Sequence, residues 1–250
     1  MKKYHLFANW KMYLDYDESN ILANALATQA KKFPKNIEMA IFPSALSFYT
    51  VAQVLQDVKI GVGAQNVYHI DKGGYTGEVS MAMYKNAGAK YALIGHSERR
   101  HQFHESNHDV RQKMEAALLA GLTPVLCVGE TEKEHGAGKT VEVVEIQLRS
   151  ALEDIAWPAG RPLYVAYEPV WAVGTGNACS PVEAERLHSQ IAGWIKGLVP
   201  GIMPILLYGG SVRAENVGSY LSLPNIHGVL VGGASAKLDN WMEIVRSIPE

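Results

Sequence analysis

The chain carries only two cysteines, Cys127 and Cys179, among its 250 residues. One pair cannot build a disulfide framework, so the fold must be held by its core, and the scarcity suits a reducing compartment. An excess of one charge is also missing. The 23 Lys+Arg and 25 Asp+Glu residues leave a formal net charge of -2, without the basic surplus of a dedicated nucleic-acid binder. No apolar run approaches the roughly eighteen residues that a membrane span requires. Near the N-terminus the stretch Leu6-Phe7-Ala8 is broken by Asn9 and Lys11, too short for a signal-peptide core, and Ser247-Ile248-Pro249-Glu250 matches no address or lipid motif. These absences predict a soluble, cytoplasmic protein with neither a membrane nor a nucleic acid as partner.

The residues that are present argue for a substantial core. The chain is 48% hydrophobic and 19% charged, a balance that a disordered chain does not show. A compact fold of this length buries roughly three quarters of the surface that its unfolded chain exposes. Length alone admits one large domain or two small ones.

Eight short runs rich in branched and aromatic residues recur: His5 to Asn9, Ile37 to Phe42, Ile60 to Ala64, Tyr91 to Gly95, Thr123 to Val128, Leu163 to Tyr167, Ile205 to Tyr208 and Gly228 to Val231. They lack polar alternation, which is how strands buried on both faces of a parallel sheet read. Between them lie segments with helical spacing, such as Leu187, Ile191, Trp194, Ile195 and Leu198. Ser180-Pro181-Val182-Glu183 marks a helix start, with a serine cap, proline at the first helical position and glutamate at the third. Eight alternating units admit an open doubly wound sheet or a closed (β/α)8 barrel. A length of about 250 residues fits the barrel. With no Pro/Gly/Ser-rich linker or low-complexity tract, the sequence predicts one TIM-barrel domain over residues 1–250.

In such a barrel the chemistry gathers on the loops after the strands. Asn9 and Lys11 follow the first strand, Gln65-Asn66 the third, His96-Ser97-Glu98 the fourth, Glu130 the fifth and Glu168 the sixth. Gly209-Gly210-Ser211 and Gly232-Gly233-Ala234-Ser235 follow the last two. Glu168, restricted by Pro169, reads as a general base or as a solvated glutamate at a loop start. His96 precedes a short helical turn whose dipole would favour a neutral imidazole, and as a lone histidine it also reads as structural. Lys11 could hold an anion or snorkel at the surface. The two glycine clusters stand where barrels hold phosphate, although glycine pairs also make plain tight turns.

The stretch of about residues 169–179 is long for a strand-to-helix connection and has Gly174-Thr175-Gly176 at its centre. It reads as a lid, or as an excursion with Trp171 packed down. Its glycines lack the pattern of a dinucleotide fingerprint. His101, His104 and His108 make no metal motif, because Ser106-Asn107 reads as a helix cap interrupting any shared face, so no metal is expected. Cys127, inside an apolar run, reads as core rather than nucleophile.

Asn9-Trp10-Lys11-Met12, Gly95-His96-Ser97-Glu98-Arg99-Arg100, Ala166 to Gly176, Tyr208 to Val212 and Leu230 to Ser235 together resemble the triosephosphate isomerase family. The matches run in order from residue 9 to residue 235, each at an expected strand end. The resemblance implies a cofactor-free, metal-free isomerase of glycolysis and gluconeogenesis, interconverting dihydroxyacetone phosphate and D-glyceraldehyde 3-phosphate through an enediolate. It casts Glu168 as the base, neutral His96 as the group that polarises the carbonyl and moves protons between oxygens, and Asn9 and Lys11 as oxyanion stabilisers. It further implies that Glu98 orients its charged neighbours, and that backbone groups of Gly174, Ser211, Gly232 and Gly233 hold the phosphate under a closing lid. Gln65-Asn66 and the following Gly74-Tyr75-Thr76-Gly77-Glu78 resemble the family's interdigitating loop, which implies a homodimer with Thr76 ordering Asn9 and Lys11 across the interface. The chain departs from the family pattern at Ala8, where glycine is common, at Tyr13, where asparagine is frequent, and at Asn177, where the lid usually carries lysine. A barrel isomerase for a larger phosphorylated sugar would be expected to replace the His96 and Glu168 pair, and a catalytically silent barrel to lose one of them. This chain has both.

Overall fold

Alternate residues of each strand serve two different cores, which is why the strands show no polar alternation. In the computed structural model, which describes residues 2–172 and 178–249, Leu6 and Ala8 face the surrounding helices while Phe7 faces the barrel interior. Met39 and Ile41 face outward in the same way, and Ala40 and Phe42 inward.

The strands are β1 (Tyr4–Asn9), β2 (Ile37–Phe42), β3 (Ile60–Ala64), β4 (Tyr91–Ile94), β5 (Thr123–Val128), β6 (Tyr164–Tyr167), β7 (Ile205–Tyr208) and β8 (Gly228–Val231). They pair in sequence order, and β8 returns to β1 to close the barrel. Every pairing is parallel; at the closure Phe7 stands opposite Leu230. The open doubly wound alternative is thereby excluded. Helices α1 (Tyr16–Gln29), α2 (Phe48–Leu55), α3 (Met81–Asn86), α4 (Ser97–Gln102), α5 (Asn107–Leu119), α6 (Glu132–Gly136), α7 (Thr140–Leu152), α8 (Pro181–Leu198), α9 (Ala214–Leu221) and α10 (Leu238–Arg246) occupy the connections. Among the described residues no helix is long and apolar enough to cross a membrane.

The strand limits follow the sequence reading to within one residue: β1 starts at Tyr4 rather than His5, β6 starts at Tyr164 rather than Leu163, and β4 stops short of Gly95. β4 ends at Ile94 because Gly95 takes φ +71, a left-handed conformation that leaves the strand. The cap at Ser180 forms as expected, accepting a hydrogen bond from Glu183 N at 3.2 Å. Ser106 caps α5 and, with Asp109, completes a capping box, so the helix boundary read there is real.

The barrel interior is filled unevenly. Rings of Phe7, Phe42, Tyr91 and Tyr164 crowd its lower half, with Phe7 and Tyr164 centroids 5.0 Å apart. β3 yields the space: a methyl on Gly63 would lie 2.3 Å from the Phe42 ring, and one on Gly61 would lie 2.6 Å from the Tyr91 ring. Below these rings a polar plug closes the barrel, in which Tyr91 Oη donates to Glu38 at 2.5 Å and Tyr164 Oη lies 3.2 Å from His5 Nδ1. Among the described residues the packed lower half leaves the upper, C-terminal end of the barrel interior for a ligand. Cys127 belongs to the interior core, and burial, aided by the nearby Glu168 charge, raises its thiol well above the ordinary range. It is core, as its apolar run suggested.

Candidate active site

The sharp turn at Gly95 builds the fourth corner. A side chain at Gly95 would collide with the Arg100 guanidinium at 2.6 Å. Without one, Arg100 folds back and donates to Gly95 O at 2.7 Å and to Cys127 O at 3.2 Å, tying β4 to β5. Glu105 Oε1 accepts Gly95 N at 3.1 Å, and Lys113 neutralises Glu105 at 2.6 Å. The next residue, His96, is the N-cap of α4, and its Nδ1 accepts Glu98 N at 3.3 Å. An accepting Nδ1 holds a lone pair, so the neutral ring carries its proton on Nε2. Glu98 Oε2 stands 3.7 Å from the same Nδ1, outside hydrogen-bond reach, and the backbone contact decides the tautomer.

Glu168 leaves β6 with its N–H on Val128 O at 2.8 Å. Its carboxylate is 2% exposed; Oε1 lies 3.0 Å from His96 Nε2 and Oε2 accepts Ser97 N at 2.8 Å. Burial opposes its charge, yet the His96 ring, the Ser97 N–H and the Lys11 charge together hold its carboxyl below the ordinary value of 4.5. The solvated-glutamate reading is thereby excluded. Two glycines let the chain close around it. A methyl on Gly209 would lie 2.8 Å from Glu168 Cγ, and one on Gly129 would lie 1.8 Å from Glu168 O.

Lys11 is not a snorkelling surface lysine: its side chain is 14% exposed and Nζ donates to Glu98 Oε1 at 2.7 Å. Its backbone has φ +48, uncommon for a residue with a side chain. That conformation is held by Asn9 Oδ1, which accepts Lys11 N at 3.1 Å, and by Gln65 Nε2, which donates to Lys11 O at 2.8 Å and to Phe42 O at 2.9 Å. The Lys11 stem passes Gly232 so closely that a methyl there would lie 3.1 Å from Cε.

These groups share one cavity of about 210 Å³. Asn9, Lys11, His96 and Glu168 line one end, and Ser211, Gly232 and Gly233 the other. Both glycine turns are pinned from behind. Asn216 Nδ2 donates to Ser211 O at 3.0 Å, while the buried Ser235 hydroxyl donates to Val231 O at 3.0 Å or Gly232 O at 2.7 Å. The structure thus brings together Asn9, Lys11, His96, Glu98, Glu168, Ser211, Gly232 and Gly233. Thr76 is exposed and does not line this cavity. Gly174 and Asn177 lie outside the described residues, as does the centre of the stretch read as a lid. Of that stretch's start, Trp171 donates to Glu130 at 2.7 Å and stacks on His135 with ring centroids 4.3 Å apart. Tyr13 joins the cavity wall beside Gly233, and Ala8 is fully buried in β1.

The family model described as "Triosephosphate isomerase" matches residues 4–248. The chain belongs to the triosephosphate isomerase family. It is 38% identical over 250 residues to the triosephosphate isomerase of Chlamydia muridarum, covering 98% of this chain and 92% of that one. It is 38% identical to that of Chloroherpeton thalassium, covering 99% of each chain. It is also 39% identical to that of Lawsonia intracellularis, covering 96% of each. Membership of the triosephosphate isomerase family makes this protein an isomerase, and the cavity described above lies at the end of the barrel where the loops after the strands meet.

Sequence reasoning did not single out the Ser97 amide as a partner of Glu168, Gln65 as the brace of Lys11, or Gly129 as a contact of Glu168. Gln65 was legible only as a strand-end residue, and Gly129 left a signal of its own, since a glycine directly after a buried strand often marks a close backbone approach.

Proposed function

We propose that the protein interconverts dihydroxyacetone phosphate and D-glyceraldehyde 3-phosphate, with the whole of residues 1–250 acting as one domain. The Glu168 carboxylate takes a proton from the carbon beside the carbonyl, and the electrons of that C–H bond form the enediolate double bond as the carbonyl electrons move to oxygen. His96 passes its Nε2 proton to that oxygen and recovers one from the neighbouring hydroxyl. Glu168 then returns its proton to the other carbon, so the sum is a shift of hydrogen within one molecule and calls for no cofactor or metal. Lys11 and Asn9 stabilise the developing oxyanion, and Glu98 orients Lys11. The phosphate sits against the turns of Ser211, Gly232 and Gly233, with Gly174 as a further backbone contact under a lid of about residues 169–179.

The observation that carries this reading is the 3.0 Å approach of a buried carboxylate to an imidazole whose other nitrogen is already occupied. A coupled assay on dihydroxyacetone phosphate, wild type beside Glu168→Gln, tests it. The variant loses about a hundred- to ten-thousand-fold in kcat; equal rates would remove Glu168 from the mechanism.

The same reading includes work as a homodimer in the cytoplasm, within glycolysis and gluconeogenesis. Support for the dimer lies in a second cavity of about 210 Å³ behind Lys11, lined by Asn9, Met12, Gln65, Asn66, Glu98 and Phe103, among others. Met12 and Phe103, which both line it, are 96% and 60% exposed, and such grouped apolar surface is what a partner covers. Thr76 of a second copy entering this cavity would order Asn9 and Lys11. Sedimentation together with activity at falling concentration decides, and a fully active monomer would overturn the dimer.

A further inference from the structure

We propose that Gln147, on the outer layer of the barrel, is a positioning residue for the catalytic carboxylate. Its carboxamide grips one peptide residue from both sides: Oε1 accepts Gly129 N at 2.8 Å and Nε2 donates to Gly129 O at 3.0 Å. Gln147 is 8% exposed, so both bonds are shielded from water and have no ready substitute.

Gly129 is the middle of three residues that hold the Glu168 segment. Val128 O accepts Glu168 N at 2.8 Å, and Glu130 O accepts Val170 N at 3.1 Å. Between these two bonds Gly129 lies directly against the Glu168 carbonyl, so closely that a methyl would stand 1.8 Å from it. The contact runs from Gln147 on α7, through Gly129, to the backbone that aims Glu168 at His96. β5 alone fixes one end of this turn; Gln147 fixes its centre. A shift of about 1 Å in a reacting group costs roughly a hundredfold in rate, and a site is only as exact as the residues that brace it.

The inference rests on Glu168 being the base, and its test separates the two. Gln147→Met keeps the length and removes both hydrogen bonds; Gln147→Glu keeps the shape. In the full-length enzyme Gln147→Met should lose roughly ten- to a hundredfold in kcat and keep KM within about twofold, because the Ser211 and Gly232 turns are untouched. The acid limb of kcat, read with substrate bound, should move to higher pH as Glu168 leaves its partners. For Gln147→Glu, the protonated carboxyl reproduces the donor and acceptor of the amide, whereas the ionised form sets a negative oxygen against Gly129 O. Its activity relative to wild type should therefore rise as pH falls. A purely structural role would lower Tm and leave kcat and the acid limb alone. Wild-type kcat and acid limb in Gln147→Met overturn the proposal; if that variant does not fold, a wild-type profile in Gln147→Glu overturns it. A fully active Glu168→Gln would instead defeat the reading of the base itself.

Discussion

His96 Nε2 stands 3.0 Å from Glu168 Oε1, although the two residues leave β4 and β6 with β5 between them. Both carboxylate oxygens are engaged, because Ser97 N donates to the other at 2.8 Å. Each oxygen keeps a second lone pair with which to take a proton from carbon, while the contacts that place Glu168 favour its charged form and so lower its basicity.

Replacing Ser97 by proline removes that donor and sets the ring Cδ where the N–H pointed, so the carboxylate must move off this contact. Ser97 is the first residue of α4, where proline's missing N–H is tolerated, and the extended His96 backbone (φ -52, ψ 141) suits a residue before proline. Ser97→Pro removes one donor from Glu168 without breaking the helix. In wild type the Glu168 carboxyl should protonate below the ordinary carboxylate value of 4.5, and in the variant at higher pH. Infrared titration of the free enzyme, with Glu168→Gln as the blank, measures both; an unmoved titration would show that the Ser97 amide does not tune the base.

At Gly209 the prediction is steric. A methyl there would meet Glu168 Cγ at 2.8 Å and Tyr167 O at 3.2 Å, so Gly209→Ala displaces the glutamate side chain rather than the fold. We expect roughly a hundredfold loss of kcat with a stability cost of about 1–3 kcal/mol, read by steady-state kinetics and urea unfolding.

Lys11 combines a charge with an unfavourable backbone. Lys11→Gly and Lys11→Met both remove the cation and should lower kcat/KM by about ten- to a hundredfold, the range of a charged hydrogen bond. Only glycine accommodates φ +48 without strain, so Lys11→Gly should be about 1 kcal/mol more stable than Lys11→Met. Equal stabilities would mean that the left-handed turn costs nothing.

The polar plug beneath the barrel gives the protein an acid sensitivity unrelated to catalysis. Burial lowers His5 to about 4, against the opposing attraction of Glu38, with Lys3 and His227 adding to the lowering. Because the unfolded chain takes up this proton near 6.5, the contribution is complete above that pH and is lost as pH falls toward 4. Between pH 7 and 5 the wild type should lose about 2 kcal/mol that His5→Gln retains. Urea melts at the two pH values test it, and parallel losses would remove His5 as the cause.

Much of the site was legible because each strand end could be located from its apolar run. Asn9, Lys11, His96, Glu168 and the two glycine turns follow such runs directly, and closing the barrel brings them to one rim. What could not be read was how each is held. Gln65 reaches the Lys11 carbonyl from the third loop, and Gln147 reaches Gly129 from a helix on the outside; both contacts join residues far apart in sequence. Thr76, which the resemblance sets against a second subunit, is exposed and lies outside the cavity of this chain.

The sequence by itself determined the parallel, doubly covered strands, the helix caps at Ser106 and Ser180, and the order of the chemical groups around the rim. These are local or periodic properties, set by side-chain size, polarity and backbone preference over a few residues. Only the tertiary structure decided that β8 closes on β1, that Lys11 adopts φ +48, that His96 presents Nε2 while Nδ1 is occupied, and that Glu168 is buried between two glycines. Each of these depends on an atom supplied by a distant segment, and a proton's place or a carboxylate's basicity is fixed by whatever stands within about 3 Å of it.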